Sequence, residues 1–223
     1  MSALPQAQPQ DPEADSAGAA AEPGAPAAPG RKRPKPGERR VQILQTLAAM
    51  LEQPGAERIT TAALAARLEV SEAALYRHFA SKAQMFEGLI EFIEGSVFTL
   101  VSQITEREPV PAQQVRRIAS VLLQFGEKNP GMVRVMVGDA LVLEHERLNA
   151  RMNQFFERVE SQLRVCLRAA AEAAGSPTPT VDAQALASAL TALLVGRLQR
   201  YARSGFRRLP TEHLEPALAR LVQ

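Results

Sequence analysis

The chain has 223 residues, 26 Lys and Arg against 24 Asp and Glu, and a single cysteine, Cys166. That length allows one large domain or two small ones with a real hydrophobic core, and one cysteine excludes an intramolecular disulfide and fits a reducing compartment. No apolar run approaches the ~18 residues of a membrane span, and no basic-then-apolar leader opens the chain, so the expected location is cytosolic. The net charge of +2 is unevenly spread: −4 over residues 1–30, +5 over 31–82 and +1 over 83–223. A polyanion would use the excess around residues 31–82.

Residues 1–37 are rich in Ala, Pro, Gly and Gln and lack Ile, Val, Phe and Tyr. Such a segment buries too little apolar surface to offset its ordering entropy and is predicted to be disordered. It ends in a basic cluster, Arg31-Lys32-Arg33-Pro34-Lys35, suited to salt-dependent phosphate contacts. Ala, Leu, Glu, Arg and Gln dominate the rest, without alternating β-branched runs, so the fold class is all-α.

A first helix is predicted from Glu38 to Glu52, with Val41, Leu44, Leu47, Ala48 and Leu51 at helical spacing and Ile43 and Met50 widening the stripe. Gln53-Pro54-Gly55 stops it. A second helix spans Thr61 to Leu68, capped by Thr60 or Thr61, with Leu64 and Leu68 as its apolar face and Ala65 allowing close approach. Glu69-Val70 makes a turn, Ser71 caps a third helix, and Leu75 and Phe79 face inward at i, i+4. Two short helices joined by a 3–4-residue turn match a helix-turn-helix. The turn site most often taken by Gly holds Glu69, which costs on the order of 1–2 kcal/mol if it is left-handed.

Ser81 caps a long fourth helix, Lys82 to Glu106, with a stripe of Phe86, Leu89, Ile90, Ile93, Val97, Leu100 and Ile104 and with Phe92 about 100° off it. A fifth helix, Ala112 to Lys128, turns Val115, Ile118, Leu122 and Phe125 inward before Asn129-Pro130-Gly131 breaks the chain. A short segment, Met132 to Val137, leads into a long helix from Asp139 to Ala174. There Leu141, Leu148, Met152, Phe155, Val159 and Cys166 follow an a/d-like repeat, and Glu160–Arg164 forms an i, i+4 pair. After the loop Gly175–Thr180, a helix from Asp182 to Ser204 carries Leu186, Leu190, Leu193, Leu194 and Leu198 on more than one face. It therefore needs two partners, one of them the same helix of a second subunit. A last helix follows Pro210-Thr211, with Leu214, Leu218 and Leu221 as its stripe.

The histidines, His78, His145 and His213, are far apart and form no metal-ligand pair, Cys166 lies on an apolar face, and no phosphate-cradling loop or nucleophile elbow occurs. The expectation is a binding protein with no cofactor and no catalysis. DNA is the expected ligand of the third helix. Arg77 suits guanine or phosphate, Tyr76 and His78 suit phosphate, and Ala73 or Ala74 can meet a thymine methyl. Thr60 and Thr61 at the second helix, Ser71 at the third and Lys82 at the fourth complete the proposed contacts.

The stretch RITTAALAARLEVSEAALYRHFASKAQMF, with Tyr76-Arg77-His78-Phe79 followed by Lys82, resembles the DNA-binding domain of the TetR family. VSEAALYRHFASK, LIEFIE at 89–94, FGEKNPG at 125–131 and RLNARMNQFFERVESQLR at 147–164 are similar to the nucleoid-occlusion branch of that family. The resemblance implies a TetR-like architecture: residues 38–86 form a three-helix helix-turn-helix domain, and 87–223 a larger helical dimerisation and partner-binding bundle. It implies a homodimer on palindromic double-stranded DNA, associated with the nucleoid. It also implies antagonism of FtsZ, whose C-terminal tail would be held by Phe92, Leu122, Lys128 and Asn129. Leu100 stands where that branch implies a basic residue. The competing expectation is a ligand-responsive TetR-type repressor, which needs an apolar cavity among helices four to eight.

Overall fold

The computed structural model describes residues 37–53 and 59–222. All of these lie within one compact unit, Pro34–Gln223. The expected disordered tail, its basic cluster and the Pro54-Gly55 stop fall outside the described residues, apart from Gly37. Among the described residues there are helices and no strands, as expected of an all-α chain. The helices are α1 Glu38–Leu51, α2 Thr61–Arg67, α3 Glu72–Tyr76, α4 Lys82–Arg107, α5 Pro111–Lys128, α6 Pro130–Met136, α7 Glu146–Ala173, α8 Pro179–Arg203 and α9 Leu214–Leu221.

The first three helices and the start of α4 close around Ile43, Leu47, Leu64, Leu75, Phe79 and Phe86, all fully buried. The remaining helices form a bundle in which α7 and α8 pack together along their length, with α4 and α5 beside them. The two parts share one hydrophobic core, and α6 is the main bridge, because it lies against α1 as well as against α4, α5 and α8. A methyl group at Gly131 would stand 2.0 Å from the Ala48 carbonyl oxygen. Glycine therefore sets how closely α6 can rest on α1.

Several expected stripes shift by one position. Val41 and Leu100 are exposed, and the buried rows run through Ile43, Leu47 and Leu51 in α1 and through Val97, Phe98 and Val101 in α4. On a helix a neighbouring apolar residue only 100° away competes for the same interior face: Val101 takes the place of Leu100 and Ile43 that of Leu44, while Val41, about 200° from Ile43, is turned to solvent. Leu221 is exposed for a similar reason, its place in the core being taken by Val222.

The expected helix from Asp139 is also broken. Gly138 adopts φ +86°, a 3₁₀ turn covers Asp139–Leu141, and α7 starts at Glu146, where His145 Nδ1 accepts the Arg147 N–H at 3.3 Å. Leu141 is still buried, but from the turn rather than from a helix. Glu160–Arg164 does not form: Arg164 donates to Ser161 and Gln184, and the i, i+4 pair of α7 is Arg168–Glu172 at 2.9 Å. Helix α8 starts three residues earlier than expected because Pro179 occupies its first turn, where a missing N–H costs nothing.

By length and composition α8 alone among the described helices could cross a membrane, with an 18-residue window of mean hydropathy 1.3 that is 33% buried. No such span was expected, since Asp182, Gln184, Ser188, Thr191 and Arg197 interrupt its apolar residues. Its exposed side is the row Ala185, Ser188, Ala192 and Gly196, headed by exposed Val181.

Candidate nucleic-acid interface

The turn between α2 and α3 is set by backbone hydrogen bonds. Thr60 is extended, and its hydroxyl oxygen accepts the Ala63 N–H at 3.1 Å, capping α2. At the other end the Val70 N–H reaches the Ala65 carbonyl at 3.0 Å and the Glu69 N–H reaches Ala66 at 3.1 Å. This pair of bonds is the Schellman closure, which requires a left-handed residue at the position of Glu69, and its φ is +55°. The irregularity read from the sequence is therefore real.

Thr61 locks the two helices together. Its hydroxyl donates to Glu72 at 2.6 Å and accepts from the Tyr76 hydroxyl at 3.5 Å. Leu75 and Phe79 are buried, while Ser71, Ala73, Tyr76, Arg77 and His78 are exposed and Ala74 is half-buried. Ser71 occupies the N-cap of α3 but makes no capping bond, which leaves its hydroxyl available to an outside acceptor. Arg77 has no hydrogen-bond or ion-pair partner among the described residues.

Two residues change the expected picture. Lys82 is not free: its ammonium is paired with Glu144 from the turn before α7 and lies 5.7 Å from the Phe86 ring centroid. A phosphate would have to compete with that carboxylate. Arg40 in α1 was not singled out by the sequence reading. It donates to the His78 carbonyl at 3.2 Å and stacks 4.2 Å over the Phe79 ring, fixing the exit of α3. The basic excess around the motif was the only sequence signal for it.

A second surface lies on α4 and α5. Phe92 is 51% exposed, and its ring centroid is 6.3 Å from that of Phe125. Lys128 is exposed, while half-buried Asn129 donates to the Phe125 carbonyl at 2.8 Å. Leu122 is only 1% exposed, so it belongs to the core beneath this surface and is not presented to a partner. It was misplaced because the α5 stripe and the supposed contact share one face. Leu100, 40% exposed, lies two turns along α4 from Phe92.

The side of α4 that meets α7 is charged. Arg151 makes two bonds to Glu94, at 2.7 and 3.1 Å, with Glu91 at 3.8 Å, and Arg147 pairs with Glu87 at 2.7 Å. The Glu94 hydrogen bond raises the Arg151 pKa above its ordinary value despite partial burial. Nearby, an open cleft of about 460 Å³ is lined by Glu91, Glu94, Gly95, Phe98, Thr99 and Arg158 among others. Among the described residues no group of three or more His, Cys, Asp or Glu could hold a metal ion.

Comparison with known proteins agrees with this geometry. Residues 43–89 match the family described as bacterial regulatory proteins, tetR family, and residues 112–222 match the tetracyclin repressor-like C-terminal domain of SlmA-like type. The nucleoid occlusion factor SlmA of Photobacterium profundum is 51% identical over 178 residues, covering 79% of this chain and 90% of that protein. Among solved structures, the TetR family regulator PfmR of Thermus thermophilus superposes with a TM-score of 0.65 at 20% identity, covering 82% of this chain and 95% of that one. AibR, solved with isovaleryl coenzyme A and operator DNA, gives 0.64 at 18% identity, covering 82% and 98%.

Proposed function

The chain belongs to the SlmA family of nucleoid occlusion factors, built on the TetR-type fold, and from that premise we propose that it is a DNA-bound inhibitor of cell division. Two copies bind a palindrome, with their α3 helices in successive major grooves about 34–36 Å apart. Arg77 and Ala73 meet base edges, while Thr60, Ser71, Tyr76 and His78 hold phosphates. The exposed small-residue row of α8 supports the dimer, because a second α8 can approach it closely and cover Val181 and the exposed Val165 of α7. So bound, the protein is held on the nucleoid and works by binding, not by catalysis.

The consequence of DNA binding is antagonism of FtsZ filaments. The observation that carries this reading is Phe92. It is a large aromatic side chain half in solvent, paired with Phe125, with exposed Lys128 one turn beyond Phe125 on α5, on a chain whose relatives are nucleoid occlusion factors. Exposed aromatic anchors beside cations are what an acidic peptide with apolar side chains would engage. Phe92, Lys128 and Asn129 hold the C-terminal tail of FtsZ, and Leu122 supports them from beneath. A ligand-responsive repressor would need an enclosed apolar chamber, whereas the cleft beside α4 is open and lined by Glu91, Glu94 and Arg158.

Phe92→Ala separates the two activities. It should leave operator binding intact while FtsZ capture in a pull-down is lost, and undiminished capture would refute the assignment.

A further inference from the structure

The end of α8 carries charge that the helix itself does not use. Residues 197–208 contain five arginines and no carboxylate. Arg197 is committed, its Nη1 donating to the carbonyls of Pro210 and Glu212 at 3.1 and 2.7 Å. Arg200, Arg203, Arg207 and Arg208 are all exposed. The guanidinium groups of Arg200, Arg203 and Arg208 have no hydrogen-bond or ion-pair partner among the described residues. Cations in the last turn of a helix answer its macrodipole, which accounts for Arg200 and Arg203. Arg207 Nε donates to the carbonyl of Ser204, the C-cap of α8, at 3.0 Å, which leaves Arg208 beyond the helix unaccounted for.

A built turn holds those two in place. The chain leaves α8 through consecutive left-handed residues, Gly205 and Phe206, both at φ 61°. Ser204 Oγ accepts the N–H groups of Arg207 and Arg208 at 3.1 and 2.9 Å and donates to the Tyr201 carbonyl at 2.9 Å. The Phe206 ring packs edge-on against Tyr201, with the Arg134 guanidinium 5.4 Å from its centroid.

The end of α8 that carries this turn packs on the end of α5, the helix that also carries Phe125. Gly126 lets α8 lie directly on α5, since a methyl group there would meet Leu198 at 2.6 Å. The Tyr201 hydroxyl donates to the Glu127 carbonyl at 3.3 Å. The end of α5, with Lys128, thus has α8 on one flank and Phe92 of α4, through Phe125, on another. Helix axes pack about 8–10 Å apart, so two steps span about 20 Å. An extended peptide covers that in roughly six residues at ~3.3 Å each.

We propose that the arginines at 200–208 are the charged half of a peptide site whose apolar half is Phe92, backed by buried Phe125. Its ligand is an extended acidic segment of a partner protein, with an apolar anchor within about six residues of its carboxylates. Planar guanidinium forks suit carboxylates, and they supply from α8 the positive charge that Leu100 does not supply from α4. The proposal rests on the partner-binding role of Phe92.

The test is fluorescence anisotropy of the full chain with a synthetic Asp/Leu peptide and its Asn/Leu analogue over a salt series. The combined variant Arg200→Ala, Arg203→Ala, Arg208→Ala should bind the Asp peptide at least tenfold more weakly and with a flatter salt dependence. Phe92→Ala should weaken binding with the salt dependence kept, and both should retain operator DNA. Dependence on Phe92 without dependence on the arginines overturns this proposal and leaves the functional reading standing. Dependence on the arginines alone overturns both the role of Phe92 and the proposed two-part site. The proposal also fails if the triple variant loses duplex DNA instead, or if the wild type binds only after removal of its acidic residues 1–30.

Discussion

Arg77 stands one residue past the end of α3, exposed and without a partner among the described residues, while its neighbours on that helix are tied to Thr61 or to the core. A guanidinium so placed can make a bidentate base contact at no internal cost. Arg77→Ala should therefore weaken specific DNA binding by about 1–3 kcal/mol without lowering thermal stability. Unchanged protection of the palindrome in footprinting would contradict that role. Cys166 gives a residue-scale prediction about pH. Burial pushes its thiol above its ordinary value, so the folded chain keeps the proton after the unfolded chain has released it. Stability is fully present below the ordinary thiol value and is lost as pH rises from there toward the folded one. Denaturant titrations of the wild type should show this decline, and Cys166→Ala should show a shallower one over the same range.

At the scale of elements, the contact between α6 and α1 ties the helix-turn-helix to the bundle. Gly131→Ala places a methyl group against the Ala48 carbonyl. The backbone must move, at a cost of about 1–3 kcal/mol by the usual range for overpacking, read as a lower midpoint in thermal melts. A melt identical to wild type would show that the two helices are not held at this distance. The helices themselves were largely legible in the sequence because amphipathic spacing reports burial, and Thr60, Ser71 and Ser81 mark three starts where they occur. The buried row was less legible, since Leu44 with Ile43 and Leu100 with Val101 offer the interior neighbouring alternatives of similar hydrophobicity. The break at Gly138–His145 was hidden because Leu141 stays buried in either conformation. At α3, the exposure of Tyr76, Arg77 and His78 could be read from the phase set by Leu75 and Phe79. The Lys82–Glu144 pair and the Arg40–His78 bond could not, because each joins segments distant in sequence.

At the scale of the molecule, the DNA-reading end and the bundle share one core, and the exposed features divide between them. Arg77 and its neighbours face outward from α3, Phe92 from α4, the small-residue row from α8 and the arginines from the turn after it. This arrangement allows one protein to hold a duplex, a second copy and a peptide at once. On the proposed function, the peptide belongs to a division protein and the duplex is an operator-like palindrome. The most direct measurement of the joint claim is FtsZ filament sedimentation with and without this protein and its palindromic DNA. The account predicts less FtsZ in the pellet when protein and DNA are both present, and no such loss with Phe92→Ala. An unchanged pellet with wild-type protein on DNA would contradict it and leave a TetR-type DNA-binding protein without a role in division.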